Sequence, residues 1–416
     1  MTLRDDAHEI IKYAIDAVLP EYAVQEQLRK KPCKGRVILV SIGKAAWRMA
    51  KAAVDILGDQ VVQGIVITKY NHSQGPIPHL VVREAGHPLL DENSLKATSE
   101  ALQMTQNLTA NDEVLFLVSG GGSALFEKPK EGVCLGDFVD ITDQMLRCGA
   151  NIVEINMIRK RLSAVKGGQF AKWVAPATIY SIVLSDVLGD RLDSIASGPA
   201  YPDSTTSAQA LDIISRYKID VKPELIEILK EETPKAIDNV ETFITGSVRT
   251  LCDKAAEKAT ELGYQSYILT TTLQCEAKEA GSFLASIAVE ESEFCRPVKL
   301  PCAIILGGET VVHLKGKGKG GRNQEMALAA ALNIQGMPNI VFASVGSDGT
   351  DGPTDAAGGI VDGQTVQKIR ESGGNPYALL ENNDAYNALE MCNSLIKTGP
   401  TGTNVNDLTV LLVKDV

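Results

Sequence analysis

Glu309 and Arg322 flank a run of alternating lysine and glycine, Lys315-Gly316-Lys317-Gly318-Lys319-Gly320-Gly321. Backbone amides of a glycine loop, free amides at a helix start and four neighbouring cations all favour an anion, most simply a phosphate. The lysines alone fit a solvated loop tip equally well. Arg322 is different, because a cation at a helix N-terminus opposes the helix dipole and needs a compensating partner. The elements that must position these groups can be read from the flanking residues. Residues 303–306 are an apolar run short enough for a buried strand, and Gly307-Gly308 suits a tight turn. Residues 310–314 then predict the second strand of a hairpin, and residues 324–332, rich in alanine and leucine, predict a helix.

Four other strand ends carry glycine with reactive polar groups. The first is Gly43-Lys44, after a predicted strand over 36–42 and before a helix over 45–57. The second is Ser119-Gly120-Gly121-Gly122-Ser123, a run of amides and hydroxyls suited to a phosphate or carboxylate, or a close crossing that only glycine permits. The third places Asp186 and Asp190 after a strand over 179–183, where carboxylates can hold Mg²⁺, accept a proton or cap a helix. The fourth, with Asp348, Asp351 and Asp355, looks like a calcium loop but has Gly359 where the EF-hand needs glutamate. Turn-building by Asp and Gly competes there with a Mg²⁺ role. In open α/β sheets ligands bind beyond the carboxyl ends of strands, so these turns are candidates for one site.

The chain has 416 residues, 44% hydrophobic and 22% charged, so two domains with sizeable cores are expected. Its net charge of −11 argues against a nucleic-acid or anionic-membrane surface. No apolar run approaches a membrane span, and the N-terminus has acidic residues where a signal peptide has cations. Eight scattered cysteines form no Cys-x-x-Cys pair, which points to reduced thiols in a cytoplasmic protein. Strands alternate with helices through the first half, the mark of a parallel sheet covered on both faces. Residues 1–236 are expected to form that Rossmann-like domain, and 237–416 a smaller α/β domain with a mixed sheet. Helices are expected over 7–28, 207–232, 248–262 and 275–294.

No Walker-type phosphate loop is present. Gly316-x-Gly318-x-x-Gly321 does match the dinucleotide fingerprint, so a dehydrogenase stays in view. Against it, lysines fill the variable places, the preceding strand belongs to a hairpin, and the next acidic residue after a strand, Asp348, lies beyond the usual spacing of about twenty.

Taken together, VSIGKAAWRMA, FLVSGGGSALFEKP, NMIRKRLSAVKGGQFA, SIVLSDVLGDRLDSIASGPAYPD, LGGETVVHLKGKGKGGRNQEMALA, SVGSDGTDGPTDAAGGIVD and KTGPTGTNVNDL resemble the type-2 glycerate kinases, in order and over nearly the whole chain. That resemblance implies a Rossmann-like domain followed by a MOFRL domain. It also implies ATP- and Mg²⁺-dependent phosphorylation of D-glycerate at the 2-hydroxyl, giving 2-phosphoglycerate in a cleft between the domains. Some relatives carry the label hydroxypyruvate reductase, the alternative activity. The functional positions implied are Lys44, Asp186, Glu309, Arg322 and Asn404 or Asn406. With the glycine turns, the expected substrate and nucleotide contacts are Ser119 to Ser123, Glu309, Gly321, Asn404 and Asn406. Asp186, Asp190, Glu309 and Asp348 are the candidate metal ligands. Small molecules are the expected partners, and a homodimer stays open.

Overall fold

The computed structural model describes residues 2–187, 189 and 191–415. The chain divides into two compact units, Ala23–Thr245, and Met1–Tyr22 together with Gly246–Val416. A division at 236/237 does not anticipate that the first 22 residues join the C-terminal unit. The helix Leu3–Ala17 buries Ala7, Ile10, Ile11, Ala14 and Ile15. Its Asp6 carboxylate accepts from Tyr264 Oη at 2.5 Å and Lys414 Nζ at 2.8 Å. An apolar helical stripe requires that a face be buried, but it does not name the surface that buries it.

The first unit is built on β1 (Arg36–Ile42), β2 (Val61–Lys69), β3 (Leu80–Ala85), β4 (Asp112–Val118), β5 (Thr178–Leu184) and β6 (Val240–Gly246), in the order β3-β2-β1-β4-β5-β6. The pairings from β3 through β5 are all parallel. Both faces of the sheet are covered, which is why its strands read as continuous apolar runs. Val37 and Leu39 pack with the helices Pro20–Lys30 and Ala46–Leu57. Ile38, Val40 and Ile42 pack with Glu92–Met104 and Gln169–Val174. This is the strand order of a doubly wound sheet, and its direction of winding reverses between β1 and β4. A helical group, Leu135–Arg147, Ile152–Leu162, Ser207–Tyr217 and Pro223–Leu229, closes around Phe138, Ile158, Ile213 and Leu229. The helix expected over 207–232 is therefore two. It stops at Lys218, which is left-handed at φ 53°, and restarts with Pro223 in its first turn.

The second unit holds β7 (Gln265–Leu273), β8 (Cys302–Gly308), β9 (Ile340–Gly346), β10 (Gly358–Asp362), β11 (Leu395–Ile396) and β12 (Asp407–Val413), ordered β11-β10-β9-β12-β8-β7. Only β7–β8 is parallel, so this sheet is mixed, as the fold class requires. The helices Ala277–Phe294 and Arg322–Asn333 pack on one face through Leu284, Ala288, Met326 and Ala330, against Leu306, Phe342 and Leu411. The expected hairpin strand at 310–314 is absent. β8 is already paired on both edges, by β7 and by β12, so the chain leaving Gly308 has no edge to fold back on. It makes one isolated bridge instead, between Val311 and Glu276. Among the described residues no helix is long and apolar enough to cross a membrane.

Candidate active site

In the first unit, the turns after β1 and β4 interlock at the point where the winding reverses, the crevice where open α/β sheets bind ligands. Gly43 is left-handed at φ 114°, and a Cβ on it would lie 2.2 Å from Ser119 Oγ. Only glycine lets the two turns meet. The Lys44 amide donates to Gly120 O at 2.9 Å, and the Ala45 amide to Ser119 Oγ at 3.1 Å. Lys44 therefore precedes the helix Ala46–Leu57 rather than entering its first turn. Its carbonyl accepts from Thr68 Oγ1 at 3.4 Å and lies 3.2 Å from His72 Nδ1.

The turn from Gly120 to Ser123 is surrounded by reactive groups. A Cβ at Gly120 would lie 2.3 Å from Asp186 Oδ2, and one at Gly121 would lie 3.0 Å from His87 Nε2 and 3.4 Å from Lys44 Cγ. Lys44, His87 and Asp186 thus border one glycine turn. The amides of Ser119 and Gly122 are used within the fold, by Ile42 O and Ser119 O. Those of Gly120 and Gly121 donate to none of the described residues. Burial, then the charges of Lys44, Lys69 and His72, push the His87 imidazole down from its ordinary value. A cationic environment of this kind suits an anionic ligand.

The turn is held from behind. Lys166 is fully buried and donates to Ser123 O at 2.7 Å and Phe126 O at 3.3 Å. Burial pushes its ammonium down to about 8, against the charge of Glu127, whose Oε2 lies 3.5 Å away. Phe126 packs with Phe116 and Phe170 at centroid distances of 6.0 and 5.2 Å. Losing such a ring costs about 3–5 kcal/mol, so the far end of the turn is firmly anchored.

The second unit gathers Glu309, Gly321, Arg322, Asn406 and Asp407. Arg322 has the partner that its place at a helix start demands. Its Nε and Nη2 donate to Asp407 at 2.6 and 2.9 Å, a bidentate pair, and Glu309 Oε1 lies 3.4 Å from Nη1. Burial works against the guanidinium charge, and the hydrogen bonds and charge of Asp407 overcome it. Burial likewise pushes Asp407 up, and Arg322 pulls it back. Asp351 caps the same helix, accepting from the amides of Asn323 at 3.2 Å and Gln324 at 2.9 Å. Its carboxyl is pushed up to about 6 by burial, with the charge of Asp407 adding to the rise. Asn406 is left-handed at φ 67°; its amide lies 3.4 Å from Asn404 Oδ1, and its carbonyl accepts from Ser347 N at 3.0 Å.

Two expectations change here. Most of the lysine–glycine loop, Lys315 to Lys319, does not offer its amides to an anion. Those of Lys315 and Gly316 donate to Asn383 Oδ1, those of Lys317 and Gly318 to Asn382, and that of Lys319 to Asp384. The lysine side chains are exposed, and Lys319 Nζ stands 3.8 Å from the centroid of the Tyr386 ring. Asp348 acts locally, accepting from Thr350 N and Oγ1 at 2.9 and 3.1 Å, the turn-building role. Asp190 lies outside the described residues. Among the described residues no group of three or more His, Cys, Asp or Glu side chains is placed to hold a metal ion. His87, Lys166 and Asp407 were not singled out as site residues by sequence reasoning, and Asp351 was named only as part of an acidic turn, not as the cap of the helix at Arg322. For Asp407 the signal existed, since an unpaired Arg322 required a carboxylate from elsewhere.

A doubly wound sheet whose switch point carries a lysine, a glycine turn with unspent amides and a carboxylate defines an α/β enzyme that handles an anion. Residues 6–230 match the family model described as a domain of unknown function (DUF4147), and residues 302–407 match the MOFRL family. The D-glycerate 2-kinase of Thermotoga maritima is 53% identical over 99% of both chains. The glycerate 2-kinase of Pyrococcus horikoshii is 42% identical over 99% of this chain and 98% of its own. The crystal structure of glycerate kinase from Thermotoga maritima superposes with a TM-score of 0.97 at 54% identity, covering 99% of each chain. The chain belongs to the type-2 glycerate kinase family.

Proposed function

We propose that this enzyme transfers the terminal phosphoryl group of ATP to the 2-hydroxyl of D-glycerate, giving 2-phosphoglycerate and ADP. The observation that carries the reading is the meeting of Lys44, the free Gly120 and Gly121 amides and Asp186 at one strand switch, in a chain so like glycerate 2-kinases over its full length. Phosphoryl transfer needs positioning and charge neutralisation more than a nucleophilic side chain. In the proposed step the glycerate oxygen forms a bond to the γ-phosphorus, the bond to the β–γ bridging oxygen breaks, and Asp186 accepts the hydroxyl proton. Lys44 and the glycine amides neutralise phosphate oxygens, and Arg322, fixed by Asp407, supplies a second oriented cation.

Magnesium fits the donors present, because the carboxylate of Asp186 at the glycine turn is a hard oxygen ligand and the ion usually takes one or two carboxylates plus phosphate and water. When bound, it supplies further charge neutralisation on the phosphates. The reductase reading is weaker. The amides of Gly316 to Lys319 are satisfied by Asn382, Asn383 and Asp384, and the turn after β1 lacks the dinucleotide fingerprint. We place the reaction in the cytoplasm, where eight free cysteines stay reduced.

The test is ADP release from ATP, Mg²⁺ and D-glycerate, with the product offered to purified enolase. We expect turnover that needs the divalent cation and a product that enolase consumes directly. A signal that requires added phosphoglycerate mutase would place the phosphate on the 3-hydroxyl. Hydroxypyruvate-dependent NADPH oxidation without ADP release would replace the reading altogether.

A further inference from the structure

At the far end of the glycine turn, the helix Ile152–Leu162 carries a basic side chain that donates to none of the described residues. Arg159 is only 17% exposed at its side chain, and its Nε is buried without a partner. Its nearest carboxylate oxygen, Glu127 Oε2, is 3.9 Å away, and its guanidinium lies 5.6 Å from the Phe138 ring centroid. Glu127 accepts from Ser163 Oγ through Oε1, while its Oε2, 3.5 Å from Lys166 Nζ, makes no hydrogen bond and is the only carboxylate oxygen near Arg159 among the described residues. The next two residues of the helix are fully used. Lys160 Nζ reaches Asp203 at 3.3 Å, and Arg161 donates to Met157 O and Thr205. An enclosed arginine whose Nε is buried and whose guanidinium donates to none of the described residues is costly unless a ligand accepts from it.

One turn earlier on the same face, Asn156 accepts from Ser197 Oγ at 3.3 Å, while its Nδ2 donates to none of the described residues. Ser197 is itself hydrogen-bonded to Ser123, the last residue of the glycine turn. It is held there by a strained segment. Ala196 and Ser197 are both left-handed, at φ 51° and 60°, a conformation unfavourable for residues other than glycine. Asn156 and a strained support therefore meet at the Ser123 end of the turn, and Arg159 stands one turn further along the same helix, beside Glu127.

We infer that Arg159 and Asn156 form the subsite for the carboxylate of the acceptor substrate, fixing a 2-hydroxy acid so that its hydroxyl is presented to the phosphoryl donor. This rests on the proposed phosphorylation of glycerate. A planar guanidinium binds a carboxylate with two parallel hydrogen bonds, and an uncharged polyol leaves the same donors unsatisfied. The subsite therefore explains selection of the acid as well as its orientation.

Initial-rate kinetics on the full chain test it, with D-glycerate and ATP varied separately and glycerol as the uncharged comparison. Arg159→Met is expected to raise KM for D-glycerate about tenfold or more and leave KM for ATP within about twofold, so that preference for glycerate over glycerol collapses. Because this change also touches Glu127, Asn156→Asp is the second variant. It places a negative charge beside the substrate carboxylate and is expected to raise KM for D-glycerate in the same way, with an unchanged melting temperature. An unaltered KM for D-glycerate in a folded Asn156→Asp variant overturns the subsite, as does a rise in KM for ATP in its place. Absence of glycerate turnover in the parent chain overturns the reaction itself, a result separate from either.

Discussion

Lys44 shows how one residue can be decided by its surroundings. Its amide is used by Gly120 O and its carbonyl by Thr68, so the backbone is fixed whatever the side chain does. The residue precedes a helix start that no side chain caps, where a cation is disfavoured by roughly 0.3–1 kcal/mol. Lys44→Met should therefore melt at the parent temperature or slightly above it in the absence of ligands. Turnover should fall by about a hundredfold or more, the scale of losing one preorganised charge at a phosphoryl transition state. Differential scanning calorimetry and the ADP-release assay decide between this and a structural lysine, whose loss would lower the melting temperature and spare activity per folded molecule.

At the scale of the element, the helix Arg322–Asn333 begins with an arginine yet starts cleanly, because Asp351 caps it and Asp407 neutralises it. Asp351 has its carboxyl raised to about 6 by burial, beside Asp407 and Arg322, against an unfolded value near 3.8. The folded chain therefore binds more protons than the unfolded one between these values. The stability contributed is fully present below the unfolded value and is lost as pH rises through about 6. Asp351→Asn should destabilise the protein more at pH 5 than at pH 8, by a difference on the order of 1 kcal/mol. Urea titrations at the two pH values measure it, and a cost independent of pH would show that Asp351 is ionised throughout.

For the whole molecule, we propose that the domain boundary follows the two compact units rather than a single division at 236/237, with the N-terminal helix a structural part of the C-terminal unit. Arg4 donates to Ile360 O at 2.8 Å and Ser394 Oγ at 3.0 Å, and Thr403 Oγ1 donates to Val18 O at 2.9 Å. A chain lacking residues 2–22 should exchange amide hydrogens faster in β9, β12 and the helix Val248–Glu261, while β1, β4 and β5 keep the parent's protection. Faster exchange in the first unit's strands instead would assign the helix to that unit.

The strand–helix alternation, the apolar runs and the glycine turns at strand ends were legible in the sequence, because each depends on residues close together in the chain. They gave the α/β class, Lys44, the 119–123 turn and the need of Arg322 for a partner. That partner is 85 residues away, supplied where Asp407 starts β12 opposite Gly308 and Gly346. The lysine–glycine loop had the composition of an anion cradle, and only the position of Asn382, Asn383 and Asp384 decided that the amides of Lys315 to Lys319 were taken. Composition determines which groups a segment offers. Which of them remain free is decided by strand register and packing, because a hydrogen-bond donor is spent on whatever acceptor the fold brings within reach.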